Sequence, residues 1–239
     1  MKGFFFTADD FGRDPATNRA ILRAYEHGAL HGASLMMGQA GTAEAVAMAR
    51  DHPALQVGLH WHFCDSTPLT CHAWPWGASP AAAGWAIGLH RRHRELAWAE
   101  ARAQIAAFED TGLPRTFVNS HHHLHIHPRL GPGLWPLVGR WPEAWLRLGW
   151  VRWFGKRPDH LGAGVGARLL VAWARRNWTG LTSGGLWGLD RPFAMQPDEV
   201  LRATALDLPG RQEFLFHPRS DDDQDARCLR ELRQRLSAA

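Results

Sequence analysis

Short apolar runs alternate with amphipathic stretches along this chain, the order expected of βα units around a mostly parallel sheet. The run Gly3 to Ala8 predicts a first strand, then a loop and a helix over 15–29. Asp14 can cap that helix and Pro15 suits its first position. Further strands are expected near 33–37, 55–59 and 116–121, with a short helix from about Thr42. Residues 65–92, rich in Pro, Gly, Ala and Trp, read as a loop insertion, and a long helix is predicted from about Arg94 to Asp110. Trp, Gly and Arg blur the period over 131–190. A last strand, 212–216, and a charged helix close the chain. With neither an internal repeat nor a clean linker, 1–239 reads as one α/β domain.

Composition narrows the class. Of 239 residues 45% are hydrophobic, which excludes disorder, and no run of about 18 apolar residues predicts a spanning helix. Asp9 and Asp10 fall where a signal peptide needs apolar residues, so a cytoplasmic location is expected. Cys64, Cys71 and Cys228 lack CxxC spacing, which argues against a disulfide framework and a cysteine zinc site. Of the 27 basic residues 25 are arginine, giving a net charge of +4. Residues 140–191 hold nine Lys or Arg against three Asp or Glu, and seven of the 13 tryptophans. Trp with Arg suits a membrane surface, and Arg168–Arg176 places apolar residues between cations, which an ordinary packed helix would also do. No nucleic-acid signature accompanies the basic stretch, so no nucleic-acid partner is expected.

Polar clusters end four of the predicted strands. Asp9-Asp10 follows the first; one acid can cap a helix, or the pair can point to opposite sides, one ligating a metal while its neighbour serves as a base. His60 and His62 end the third, sharing a face. Five of the seven residues His121–His127 are histidine; if the fourth strand continues, Asn119, His121, His123 and His125 share one face. A non-specific metal-scavenging tract is the rival reading. His217 ends the last strand. Together these place four clusters on one rim of one sheet, where α/β folds collect catalytic groups. Asp with two His suits an open divalent site able to support hydrolysis.

Thr7-Ala8-Asp9-Asp10-Phe11-Gly12, Val57-Gly58-Leu59-His60, Val118–His125 and Glu213–Pro218 resemble, in order and spacing, the YdjC-like carbohydrate deacetylases. Ala33-Ser34-Leu35-Met36, His125-Ile126-His127-Pro128 and Gly188-Leu189 look most like the branch associated with hopanoid biosynthesis. The resemblance implies a (β/α) barrel-like fold, incomplete or distorted, with a metal site at the C-terminal rim of its strands. It implies metal-dependent removal of an N-acetyl group from a sugar, here an N-acetylglucosaminyl hopanoid, with one divalent ion: zinc or magnesium, or else manganese or iron. Asp10, His60 and His121 become the metal ligands, Asp9 the general base and His217 the general acid. Asn119, His123, His125 and Arg152 are expected to meet the substrate, although the wider family usually has Asp at the position of Asn119.

Alternative readings are a soluble chito-oligosaccharide or amidosugar deacetylase, a non-catalytic metal- or sugar-binding relative, and a nucleic-acid or metal-binding module. A lipid-linked substrate would add peripheral contact with the inner membrane face.

Overall fold

Among the described residues a single sheet of eight parallel strands carries the fold. They are β1 (Gly3–Phe11), β2 (Gly32–Leu35), β3 (Gln56–Trp61), β4 (Phe117–Ser120), β5 (Trp145–Leu146), β6 (Trp150–Val151), β7 (Gly185–Trp187) and β8 (Arg211–Phe216). Their order is β5-β4-β3-β2-β1-β8-β7-β6. Around it lie α1 (Pro15–His27), α2 (Thr42–Asp51), α3 (Pro80–Leu89), α4 (Arg91–Asp110), α5 (Gly131–Val138), α6 (Leu161–Asn177), α7 (Pro197–Thr204) and α8 (Gln224–Ser237). This computed structural model describes residues 3–154 and 161–238. Residues 155–160 of the basic Trp-rich stretch, together with Met1, Lys2 and Ala239, lie outside the described residues.

The two ends of the sheet belong to one short stretch, 145–151: β5 pairs with β4, and β6 with β7. The Leu146 N–H also donates to the Leu181 carbonyl at 2.9 Å. The sheet thereby curls on itself into a (β/α) barrel-like fold. Gly149 occupies the bend, where a Cβ would lie 2.6 Å from the Gly185 carbonyl carbon. Only glycine allows two backbones so close.

Strand parity separates two interiors. Phe6, Ala8, Leu35, Leu59, Phe214 and Phe216 join Ile21, Ala45, Ile105 and Leu229 of the helices in the main core. The opposite parity fills the ring. Phe5, Phe117 and Trp145 form a separate aromatic layer, Phe117 and Trp145 stacking 4.9 Å apart. Each ring so buried contributes about 2–3 kcal/mol. Gly58 opposes that layer, and a Cβ there would meet the Phe117 ring at 2.4 Å. Beyond the aromatic layer the buried side chains become polar: Thr7, Asp9, Ser34, His60, Asn119, Arg147 and Glu213.

Several expectations are met. Asp14 accepts from the Thr17 N–H at 2.8 Å and Pro15 opens α1. Others need correction. The 65–92 insertion is not irregular throughout: Ser79 caps and Pro80 starts α3, and α4 begins at Arg91 rather than Arg94. Pro, Gly and Ala hid a helix whose cap and first-turn proline are both present. The fourth strand stops at Ser120, and His121–Ile126 forms a 3₁₀ turn in which His122 and His123 take φ of 54° and 56°. Alternation therefore ends at His121.

Candidate active site

The polar interior opens at the C-terminal strand ends into a cavity of about 340 Å³. Asp9, Asp10, Asp65, His121, His123 and His217 are among its lining residues.

β1 delivers two carboxylates to this place through an irregularity. Its register with β2 shifts between Ala8 and Phe11, and Asp10 adopts a left-handed φ of 70°. A bulge of this kind re-aims a side chain. The two acids consequently do not diverge as simple alternation would have them. Both are buried beside His60, whose Nε2 lies 3.4 Å from Asp10 Oδ1 and 4.0 Å from Asp9 Oδ2.

His60 is held by its other nitrogen. Asn119 Nδ2 donates to Asp9 Oδ1 at 3.3 Å, which turns the Asn119 carbonyl oxygen toward His60 Nδ1, 2.5 Å away. That oxygen only accepts, so the network assigns the proton to Nδ1 and leaves the Nε2 lone pair facing Asp10. Asn119 thus orients His60 without adding a third negative charge beside Asp9 and Asp10. His121 begins the turn and puts Nδ1 at 2.9 Å from Asp10 Oδ1. Its Nε2 lies 3.4 Å from Asp65 Oδ2.

Asp10, His60 and His121 each offer an atom, all within 4.8 Å of one another. Among the described residues, neither Asp10 oxygen nor His60 Nε2, all three buried, has a hydrogen bond. Such orphaned acceptors are costly unless something positive satisfies them. A divalent cation would meet that need, and Asp10, His60 and His121 would hold it through oxygen and nitrogen donors. The residues implied as ligands are brought together and suit the group. Burial raises the Asp10 carboxyl, but His121 beside it holds it well below its usual range.

Asp9 is tied down differently. Ser34 Oγ donates to its Oδ1 at 2.5 Å, and Arg147 donates to Oδ2 at 2.6 Å and Oδ1 at 2.9 Å. Burial opposes ionisation, yet Arg147 and His60 keep this carboxyl far below the carboxylate range. Arg147 also donates through Nε to Glu213 Oε1 at 2.8 Å, where Thr7 Oγ1 donates as well. Burial pushes Glu213 upward despite Arg147. One guanidinium between two carboxylates favours ionisation of the better-bonded Asp9.

His217 lines the cavity with Nδ1 buried and without a partner among the described residues, and its backbone N–H donates to Asp225 Oδ2 at 2.7 Å. Burial lowers its imidazole, against the pull of Asp9 and Asp10. Phe193 flanks it, the rings 5.1 Å apart.

The remaining expected residues separate. His123 lines the cavity. His125 is spent internally: Nδ1 pairs with Ser120 Oγ at 2.8 Å and Nε2 with the Arg147 carbonyl at 2.7 Å. Asn119 is buried in the network rather than at the cavity wall. Arg152 follows β6, donates its backbone N–H to Leu186, and is not among the cavity-lining residues. His62 turns away from His60, its Nε2 2.9 Å from the Met37 carbonyl, and burial lowers it to about 4. Sequence reasoning missed Arg147, Glu213 and Asp65. The Glu213–Pro218 motif contained Glu213 in plain view; nothing local marks the other two.

A barrel-like α/β fold with an Asp-His-His cluster at its open rim defines a class of candidate hydrolytic metal sites. The chain belongs to the YdjC-like protein family, whose sequence model matches residues 4–237. It is 35% identical over 129 residues to a carbohydrate deacetylase of Vibrio campbellii, covering 53% of this chain and 51% of that protein. It is 31% identical over 149 residues to a chitooligosaccharide deacetylase of Serratia marcescens, covering 57% and 54%. The chain spans about half the length of the curated relatives it matches. A candidate cellobiose-phosphate cleavage protein of Enterococcus faecalis V583 shares the fold with a TM-score of 0.66 at 16% identity, over 99% of this chain and 94% of that one.

Proposed function

We propose that the protein is a carbohydrate N-deacetylase that hydrolyses the acetamide of an N-acetylated sugar with one divalent ion. The observation that carries this reading is the trio Asp10, His60 and His121, with three buried atoms that lack hydrogen bonds among the described residues. The named relatives act on carbohydrates and chitooligosaccharides. They favour a small soluble glycan over an N-acetylglucosaminyl hopanoid lipid, and nothing among them carries the hopanoid branch.

When bound, a divalent cation supplies electrostatic stabilisation of charge on an amide oxygen and makes water easier to deprotonate. Asp10, His60 and His121 would hold it, with Asn119 fixing the His60 tautomer. Asp9 takes the proton of the attacking water. Among the described residues its Oδ1 accepts from Ser34, Asn119 and Arg147, whereas Oδ2 accepts from Arg147 alone and retains capacity. Arg147 fixes the carboxylate plane but also makes Asp9 a weak base, so its proton is held only transiently. His217 protonates the departing amine once it carries its second proton, a state that Asp9 and Asp10 favour and burial opposes. Acid and base contributions of this kind are each worth about 10²–10⁴ in rate. His123 and Leu189 line the space left for the sugar.

Released acetate, measured with N,N′-diacetylchitobiose and with a glucosamine-type N-acetylated glycolipid, tests the reading. Turnover of the soluble sugar supports it. Turnover of the lipid alone restores the hopanoid-type substrate, and turnover of neither removes the activity.

A further inference from the structure

Helix α3 is apolar on nearly every side yet lies at the surface. Its sequence, Pro-Ala-Ala-Ala-Gly-Trp-Ala-Ile-Gly-Leu, contains no charged or hydrogen-bonding side chain except the indole N–H. Only Ala83 and Ile87 are buried, while Trp85 and Leu89, one turn apart, are each 70% exposed. A uniformly apolar helix is ordinarily enclosed. Two large side chains exposed together on such a helix mark a surface that meets something else.

The adjoining charge selects the partner. No Asp or Glu occurs anywhere from 66 to 94, and α3 runs directly into His90-Arg91-Arg92-His93-Arg94. Arg94 turns back to the Ile87 and Gly88 carbonyls at 2.8 and 3.2 Å and finishes the helix. Arg91 and Arg92 remain exposed, Arg91 in a surface pair with Glu95 at 2.7 Å. A two-fold contact between copies of this face would bring the same arginines together. An anionic lipid surface complements them and accepts the indole and leucine at headgroup depth. The stretch Arg168–Arg176 is less suited: Val171 and Ala174 are buried, and Trp173 packs on Trp135 with rings 5.3 Å apart.

We propose that α3, through Trp85 and Leu89 with Arg91 and Arg92 beside them, docks the protein on an anionic lipid bilayer. α3 packs on the turn that carries His121–Ile126, and a Cβ on Gly88 would lie 3.4 Å from His127 Nε2. The docking helix therefore lies next to the turn that begins with His121. The inference goes beyond the deacetylase reading and does not depend on it.

Flotation of the full chain with phosphatidylglycerol/phosphatidylcholine vesicles, and with pure phosphatidylcholine, tests this without any substrate. The protein is expected to float with the anionic vesicles and much less with the neutral ones. Trp85→Ser/Leu89→Ser is expected to weaken binding by about tenfold or more. Arg91→Gln/Arg92→Gln should remove the preference for anionic lipid, and Leu169→Ser, an exposed leucine on α6, should change nothing. The arginine variant also carries the test if near-UV circular dichroism shows that the double serine variant is misfolded. Equal flotation of all variants, or no flotation of the wild type, overturns the proposal. So does sedimentation showing a wild-type dimer that the serine variant dissociates, which assigns the face to self-association.

Discussion

Arg147 joins Asp9 to Glu213 inside the barrel, donating to Asp9 at 2.6 and 2.9 Å and to Glu213 at 2.8 Å, with its own side chain fully enclosed. A buried guanidinium shared this way fixes the carboxylate next to the candidate metal trio. Removing it leaves two acids buried without their cation, which costs about 3–5 kcal/mol. Arg147→Met is expected to lose that much stability in urea unfolding. Arg147→Lys, which keeps charge but not the two-pronged contact, should lose less stability and still turn over more slowly than wild type.

Asp9→Asn separates binding from chemistry. Asn keeps the volume and can still accept from Ser34, but it cannot take a proton from water. The expected outcome is unchanged metal content with acetate release lower by about 10²–10⁴. Metal analysis and acetate assay of the same sample check it; an unimpaired rate would reassign the base.

Asp65 faces the second nitrogen of His121, as Asn119 does for His60. Partners of this kind orient a ligating ring, and their loss typically weakens metal binding about 10–100-fold. Asp65→Asn should therefore lower divalent affinity in a chelator competition while the stoichiometry stays at one ion per chain. Loss of a second, weaker ion instead would show that Asp65, His121 and His122 form a site of their own.

The architecture was legible in sequence where local chemistry decides it: the cap and proline of α1, the strand ends that carry Asp10, His60 and His217, and the loop-to-helix order. The histidine run departs from the alternation expected of a continuing strand, because the fourth strand stops at Ser120 and a 3₁₀ turn follows. The positive φ of His122 and His123, invisible in the letters, bends the chain after His121, and His125 then turns inward to Ser120 and the Arg147 carbonyl. Arg147 could not be found at all. Its partners lie 138 and 66 residues away, and only ring closure through 145–151 brings them within reach.

Asp225 links stability to pH. Burial raises its carboxyl to about 6, although the His217 and Met195 N–H groups donate to it at 2.7 and 3.1 Å. Between the unfolded value of 3.8 and about 6 the folded chain holds the proton more often, so this group adds stability as pH falls and withdraws it as pH rises through 6. Relative to Asp225→Asn, the wild type should gain about 1 kcal/mol on going from pH 7 to pH 5. Urea titrations of both proteins at the two pH values give the comparison, and a constant difference would refute it.

The most direct test is acetate release from N,N′-diacetylchitobiose by protein stripped with a chelator and then titrated with a divalent metal. The account predicts almost no release from the stripped protein and activity that rises to a plateau near one equivalent. Release at full rate by the stripped protein would contradict it.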